Sequence, residues 1–495
     1  MIRLRRSLFI TFFSSNSAMA MQFGVTLVLS RLLTPAEVGI FSITAVFIGI
    51  SHTFRDFGVT SYLQQEKDLT HQKIRSAIGL LITTSWIIAA FIYFASDYVA
   101  AYFGQPGIGA VMRVMSISFT LLPFASLFYA LLSREHQAGK QAIVNLLSTI
   151  AYAITCIALA SLGFSYMALA WANVANIAVS ILTYIPLRPN GISLMPSFRG
   201  WRNPIKFGGG SIIGSLFEDI YISIPDLVLG KLNGPHSAGL YSRANGLVGI
   251  FLQIAGPTVT YNALPYIARN YHALAPLGAM LAKSTSYLTG LAWPAYILIA
   301  VFAEEIIGLL YGKSWIEAAP LVVFICSASA ARIGYILCQP ALTAIGKPYL
   351  FAISTSIGII ARLILIYMMG AKDILTLALA LCIADLLTTP VAALLMARYL
   401  GYSIRMSAAA HIPSVKVSVF CFMIAFMLKI LLPSEWPEIL VLPLIGISMG
   451  STWLIGILYF KHPLVDEIPS LLKRIFPQRL ALRISQFIKT GKANA

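Results

Sequence analysis

The chain has 495 residues, 58% of them hydrophobic and only 11% charged, with a mean hydropathy of +0.82. A soluble domain carries roughly 25% charged residues, so this composition excludes a soluble enzyme. The net charge of +17 sits in short loops between apolar runs, which makes it a topology signal and argues against a nucleic-acid partner. Hydrocarbon satisfies no backbone polar group, and the runs are long and do not alternate, so the spans are helices and not barrel strands. At about 20 residues per crossing, spans fall near 7–30, 38–64, 77–96, 108–131, 142–162 and 165–186. A polar connection at 187–205 follows, with Pro189, Gly191, Pro196 and Arg199. Further spans fall near 206–230, 240–266, 284–303, 318–338, 349–369, 374–397, 412–432 and 439–460, fourteen in all. The basic N-terminal run resembles a signal peptide, but its apolar stretch continues to Ser30 and is read as an uncleaved first helix.

Loop charge tests that count. With the N-terminus inside, 24 of the 35 Lys and Arg fall in inside segments. Only Arg31, Lys231, Lys313 and Lys372 fall outside. Both termini are therefore expected in the cytoplasm. The tail, 461–495, is basic and amphipathic and suits either the anionic inner leaflet or plain solvation. All five cysteines lie in apolar runs, so neither a disulfide nor a zinc site is expected.

One segment recurs. The 24 residues from Leu27 align without a gap on those from Leu227, with nine identities that include Pro35/Pro235, Gly39/Gly239 and Gly49/Gly249. Six spans separate the copies, so both have the same orientation, as in parallel transporter repeats. The expected architecture is an all-α polytopic membrane protein. It has an N-terminal six-helix lobe (1–186), a linker (187–205), a second six-helix lobe (206–397), two additional helices (398–460) and the tail.

Several motifs then resemble a known family. They are Arg31-Leu-Leu-Thr-Pro-Ala-Glu-Val-Gly39, Phe54-Arg-Asp-Phe-Gly58, Leu63-Gln-Gln-Glu-Lys-Asp-Leu-Thr70, Asp226-Leu-Val-Leu-Gly230 and Gly239-Leu-Tyr-Ser-Arg-Ala244. Together they resemble the polysaccharide transporter family, the Wzx-type flippases of the multidrug/oligosaccharidyl-lipid/polysaccharide superfamily. The resemblance implies a cargo of undecaprenyl-diphosphate-linked oligosaccharide crossing the bacterial inner membrane. It also implies a polar cavity between lobes, a lipid-side groove for the prenyl tail, and a polysaccharide polymerase and export machinery as partners.

Charges inside spans are functional hypotheses, because each is costly there. Arg332 and Arg362 are the favoured ligands for an anionic head group, since a guanidinium binds phosphate oxygens bidentately. Arg243 and Arg113 are further candidates, or interfacial anchors. The competing reading pairs the mid-span arginines with Asp385 or with the acids of the seventh span. Glu218, Asp219, Asp226 and Asp385 are candidates for H⁺ or Na⁺ coupling, and no other cofactor is expected. Arg55 and Asp56 read as a gate or helix-end pair. The rivals are a multidrug or small-cation exporter on the same fold, a membrane glycan polymerase or ligase, and a scaffold. Short outer loops without clusters of His, Arg and Asp argue against an enzyme.

Overall fold

The structure, a computed structural model, describes residues 2–467 apart from 57, 67, 136, 188–194, 371–372 and 433–435. Only the backbone is described at 2–9, 11–12, 61, 65, 202–204, 206–215 and 255–262. Most of the basic tail and the middle of the linker therefore lie outside the described residues, as do the seventh-span glycines' surroundings and the Ser215 side chain.

The described chain is helical and contains no strand. In order come α1 (Ile2–Leu32), α2 (Pro35–Asp56), α3 (Val59–Gln65), α4 (His71–Phe103), α5 (Pro106–Arg134), α6 (Ala138–Ser161), α7 (Met167–Leu187), α8 (Arg202–Leu232) and α9 (Gly234–His272). Then follow α10 (Leu277–Val301), α11 (Ala303–Leu310), α12 (Ala319–Ile333), α13 (Cys338–Ala344), α14 (Tyr349–Met369), α15 (Ile374–Leu400), α16 (Ile404–Leu431) and α17 (Glu438–Tyr459). Every expected span falls on one or more of these helices. By length and hydropathy, ten meet the requirement for crossing a membrane among the described residues, or eleven with α10 and α11 taken as one span bent by 78°. The helices α1, α8 and α9 do not enter that number, so the structure supports the class and leaves the count of fourteen as an expectation.

Three expected spans are discontinuous. The second breaks at Gly58, whose φ of +69° favours a residue without a Cβ; the Asp56 carboxylate then accepts from the Thr60 hydroxyl in the next helix. The ninth bends at Phe302, between α10 and α11. The tenth stops at Ile333 and resumes at Cys338. Helix starts and stops otherwise follow local chemistry. Thr70, Asp373 and Ser403 accept backbone N–H groups at the starts of α4, α15 and α16. In the repeat hairpin, Thr34 and Glu37 form a capping box: Thr34 N–H donates to the Glu37 carboxylate at 2.7 Å, and Glu37 N–H donates back to Thr34 Oγ1 at 3.4 Å.

The residue distribution is that of a protein in lipid. Phe91, Phe94, Ile430 and Ile447 are each about seven-tenths exposed, whereas Ser85, Ser96, Thr289 and Ser414 are wholly buried. Large apolar side chains outside and hydroxyls inside invert the soluble pattern.

The chain divides into two compact units, Met1–Ser242 and Arg243–Ala495. The boundary lies beyond the linker expected at 187–205, because α8 and the start of α9 pack on α2. There Gly39 and Gly239 meet reciprocally. A Cβ on Gly39 would lie 1.7 Å from the Pro235 carbonyl oxygen, and one on Gly239 would lie 1.8 Å from that of Pro35. A second repeated feature lies in each unit separately. A Cβ on Gly79, in α4, would meet the Ser197 carbonyl oxygen at 2.2 Å, and one on Gly278, in α10, would meet that of Gly401 at 2.1 Å. In each unit, the segment after the sixth span of its repeat rests on a glycine at the start of the third.

Candidate functional site

In the second unit, the expected head-group ligand Arg362 is buried on α14 and faces Asp385 on α15. Its Nε and Nη2 both donate to Asp385 Oδ1, at 3.0 and 2.6 Å. The two side chains are 5% and 7% exposed. Two charges this deep in a span hold only because each neutralises the other. The guanidinium fork is thus turned on a carboxylate of its own unit, and that carboxylate is engaged as well.

Arg332 has a different setting. It lies exposed in the last turn of α12, where the tenth span breaks. At the break, Gly334 lets His411 approach closely. A Cβ there would lie 2.6 Å from His411 Nε2, and the imidazole of His411 stacks on Trp293 with ring centroids 5.5 Å apart. Trp293 Nε1 donates to the Ala330 carbonyl at 2.7 Å, anchoring α12 on α10 just before the break. Discontinuous spans are where transporters place substrate and ion sites. A groove of about 390 Å³ runs between α10, α12 and α16, lined chiefly by Trp293, Tyr296, Ile297, Val419 and Phe422 and, on α12, by Cys326, Ser327 and Ala330. Arg243 lies elsewhere in this unit, its guanidinium 5.3 Å from the Trp315 ring and 5.9 Å from that of Tyr311.

The first unit holds the remaining candidates. Asp219 accepts from the Thr53 hydroxyl, tying α8 to α2. Glu218 on the same turn is half-buried. Asp226 keeps one carboxylate oxygen buried with no hydrogen-bond partner among the described residues. Arg113 pairs with Asp97 across α5 and α4 at 3.0 Å, both partly exposed. Arg55 and Asp56 are only loosely joined, at 4.0 Å. Arg55 is 8% exposed and donates from Nη1 to Ser126 Oγ at 2.7 Å, while its Nε has no partner among the described residues.

Sequence reading overlooked two polar cavities in this unit. One, of about 420 Å³, surrounds Arg55, and the other, of about 440 Å³, lies between α1, α2, α5, α6 and α7 with amide side chains in its wall. A signal for them existed. Asn173, Asn176, Ser180 and Tyr184 recur at helical spacing in α7, a polar stripe on an apolar span.

Fold and site together define a polytopic α-helical membrane protein with charged and polar side chains buried in its spans. A family model described as "Polysaccharide biosynthesis protein" matches residues 28–320, more than half the chain. The chain belongs to that family. It is 20% identical to the lipopolysaccharide biosynthesis protein WzxC of Escherichia coli (strain K12), over 62% of each chain. It is 23% identical to the succinoglycan biosynthesis transport protein ExoT of Rhizobium meliloti (strain 1021), over 62% of this chain and 63% of the relative. It is also 23% identical to the probable low-salt glycan biosynthesis flippase Agl15 of Haloferax volcanii, over 73% and 76%. The chain spans about three fifths of the length of the first of these relatives. Among solved structures, it is similar to the lipid II flippase MurJ in an inward closed conformation, with a TM-score of 0.70 and 15% identity over 93% of this chain and 99% of that one. A multidrug resistance transporter of the MATE family matches at 0.60 and 14%, over 79% and 95%. At these identities the structures establish the fold alone.

Proposed function

We propose that this protein is a flippase that carries an undecaprenyl-diphosphate-linked oligosaccharide across the bacterial inner membrane for exopolysaccharide, capsule or O-antigen synthesis. The observation that carries the reading is the apolar, aromatic-walled groove of the second unit, walled in part by α12, the helix whose last turn carries the exposed Arg332. An apolar slot and a cation on one helix match an apolar tail joined to an anionic head. A dianionic head cannot cross about 30 Å of hydrocarbon unaided, and Arg332 supplies a fork for its oxygens. Family membership favours this cargo over the small cations of a multidrug exporter. Asp226, with its unpartnered oxygen, is the carboxylate proposed for H⁺ or Na⁺ coupling, because Asp385 is held by Arg362.

A strain lacking this chain is expected to accumulate lipid-linked repeat units on the inner leaflet and to lose the surface glycan. Arg332→Ala is expected to lower glycan export at least tenfold at equal membrane abundance, with Arg332→Lys restoring little of it. Normal export in the deletion strain, with altered drug susceptibility instead, would replace the flippase by the exporter.

A further inference from the structure

The two cavities of the first unit follow one another along the same helices. On α7, Asn173 and Asn176 line one, and Ser180 and Tyr184 line the other. On α2, His52 lines the first and Arg55 the second. At 1.5 Å per residue, the α7 stripe runs about 16 Å.

The chemistry of the two differs. The amide cavity presents Gln22, Thr26, His52, Tyr152, Asn173 and Asn176, with Phe41 beside them, and no Asp, Glu, Lys or Arg. Asn173 and Asn176 each donate one N–H to a helix carbonyl, that of Leu169 and that of Ser148, both at 2.9 Å. Those bonds fix each amide and leave its carbonyl oxygen and second N–H for another partner. Amides are expensive inside a membrane bundle unless every polar atom is satisfied. Without carboxylates the cavity does not suit a cation, and without Lys or Arg it does not suit an anion. At about 440 Å³ it has the volume of a small-molecule site. A neutral ring dense in hydroxyls, with an apolar face for Phe41 and Tyr152, is a pyranose.

The other cavity is built for the opposite charge. Arg55 is buried, its acidic neighbour stands 4.0 Å off and its Nε is unpartnered among the described residues. Asp56, Thr60, Ser126, Tyr129, Ser180 and Tyr184 line the cavity with it. The Thr60 hydroxyl donates to Asp56 and that of Ser180 to the Asn176 carbonyl, which leaves the hydroxyls of Ser126, Tyr129 and Tyr184 to donate to a ligand. A buried guanidinium with so little compensation is costly. Phosphate oxygens, which accept from both a guanidinium and hydroxyls, remove that cost.

We propose that the first unit contains a glycosyl-diphosphate subsite, in which Arg55 and its hydroxyls take the diphosphate and the amide cavity takes the sugar attached to it. The proposal deepens the flippase reading and rests on it. On the loop-charge topology, the Arg55 cavity lies at the cytoplasmic end and the amide cavity deeper, so a head group entering from the cytoplasm inserts its sugar first. The Arg55 and Arg332 assignments belong to different units and are tested separately, the first by the pyrophosphate shift and the second by glycan export.

The test uses the purified full chain in detergent. The probes are pyrophosphate, free glucose, galactose and N-acetylglucosamine, and the 1-phosphates of those sugars. At least one sugar 1-phosphate is expected to raise the melting temperature more than pyrophosphate does. The sugar increment should vanish in Asn173→Leu/Asn176→Leu, and the pyrophosphate shift in Arg55→Met. The milder Thr26→Val and Ser126→Ala should each weaken the corresponding binding several-fold. No shift with wild type, or sugar and bare pyrophosphate acting alike, would overturn the subsite. Shifts unchanged in every variant would do the same. Glycan export separates the two readings. If the deletion strain accumulates lipid-linked units while the sugar probes do nothing, the subsite falls and the flippase stands. Specific sugar 1-phosphate shifts in a protein whose loss leaves export intact would leave the subsite and remove the flippase.

Discussion

Arg362 and Asp385 show how a buried charge is to be weighed. Either alone reads from the sequence as a functional group, because an isolated charge in a span is costly. Placed 2.6 Å apart and almost wholly buried, they neutralise each other. Removing one partner strands the other, at a cost of about 3–5 kcal/mol, whereas removing both leaves no orphan. Arg362→Ala and Asp385→Ala are therefore each expected to lower membrane abundance and melting temperature, and the double variant to recover most of the loss. A double variant as unstable as the sum of the singles would show that the pair is not what holds them. Spacing did not announce the pair, because the two residues lie on separate helices 23 positions apart.

Among the elements, the repeat hairpins carry the sharpest constraint. At Gly39 and Gly239 the backbone of each copy lies where a side chain on the other would begin. The nearest atoms are carbonyl groups, which cannot swing aside as a side chain can. Gly39→Ala and Gly239→Ala are each expected to force the hairpins apart, costing about 1–3 kcal/mol and sharply reducing export. Gly49→Ala, which meets nothing within 4 Å, is the control. Thermal melts of the three purified variants check this, and an unchanged Gly39→Ala melt would contradict the close approach. Discontinuity belongs to this scale too. The sequence reading drew the second and tenth spans as continuous, because hydropathy continues through Gly58 and Gly334 while the helices do not.

For the molecule as a whole, the orientation rests on loop charge. A reporter active only in the cytoplasm is expected to work when fused after Gly491 and to fail after Gly234. Activity at Gly234 would reverse the topology, and with it the placing of the Arg55 cavity at the cytoplasmic end. The two units share a plan, each setting a connecting segment on a glycine at the start of its third span. The sequence repeat, most visible in the hairpins, foreshadowed that plan only there. The Gly79 and Gly278 contacts depend on loop residues that do not align.

The sequence by itself determined where apolar helices run, that the chain lies in a membrane, that its hairpins are duplicated, and through short motifs which family it resembles. Those properties are local, since a bilayer acts on each segment as one solvent and selects it by length and hydropathy alone. Tertiary structure decided which charges face a partner and which face a cavity. It paired Arg362 with Asp385, left Arg332 exposed at a helix break, and put Arg55 among hydroxyls and Asn173 with Asn176 in a neutral cavity. In lipid, hydropathy says little about which helix faces meet. Packing and a few interhelical hydrogen bonds choose those faces, and they act between residues far apart in the chain.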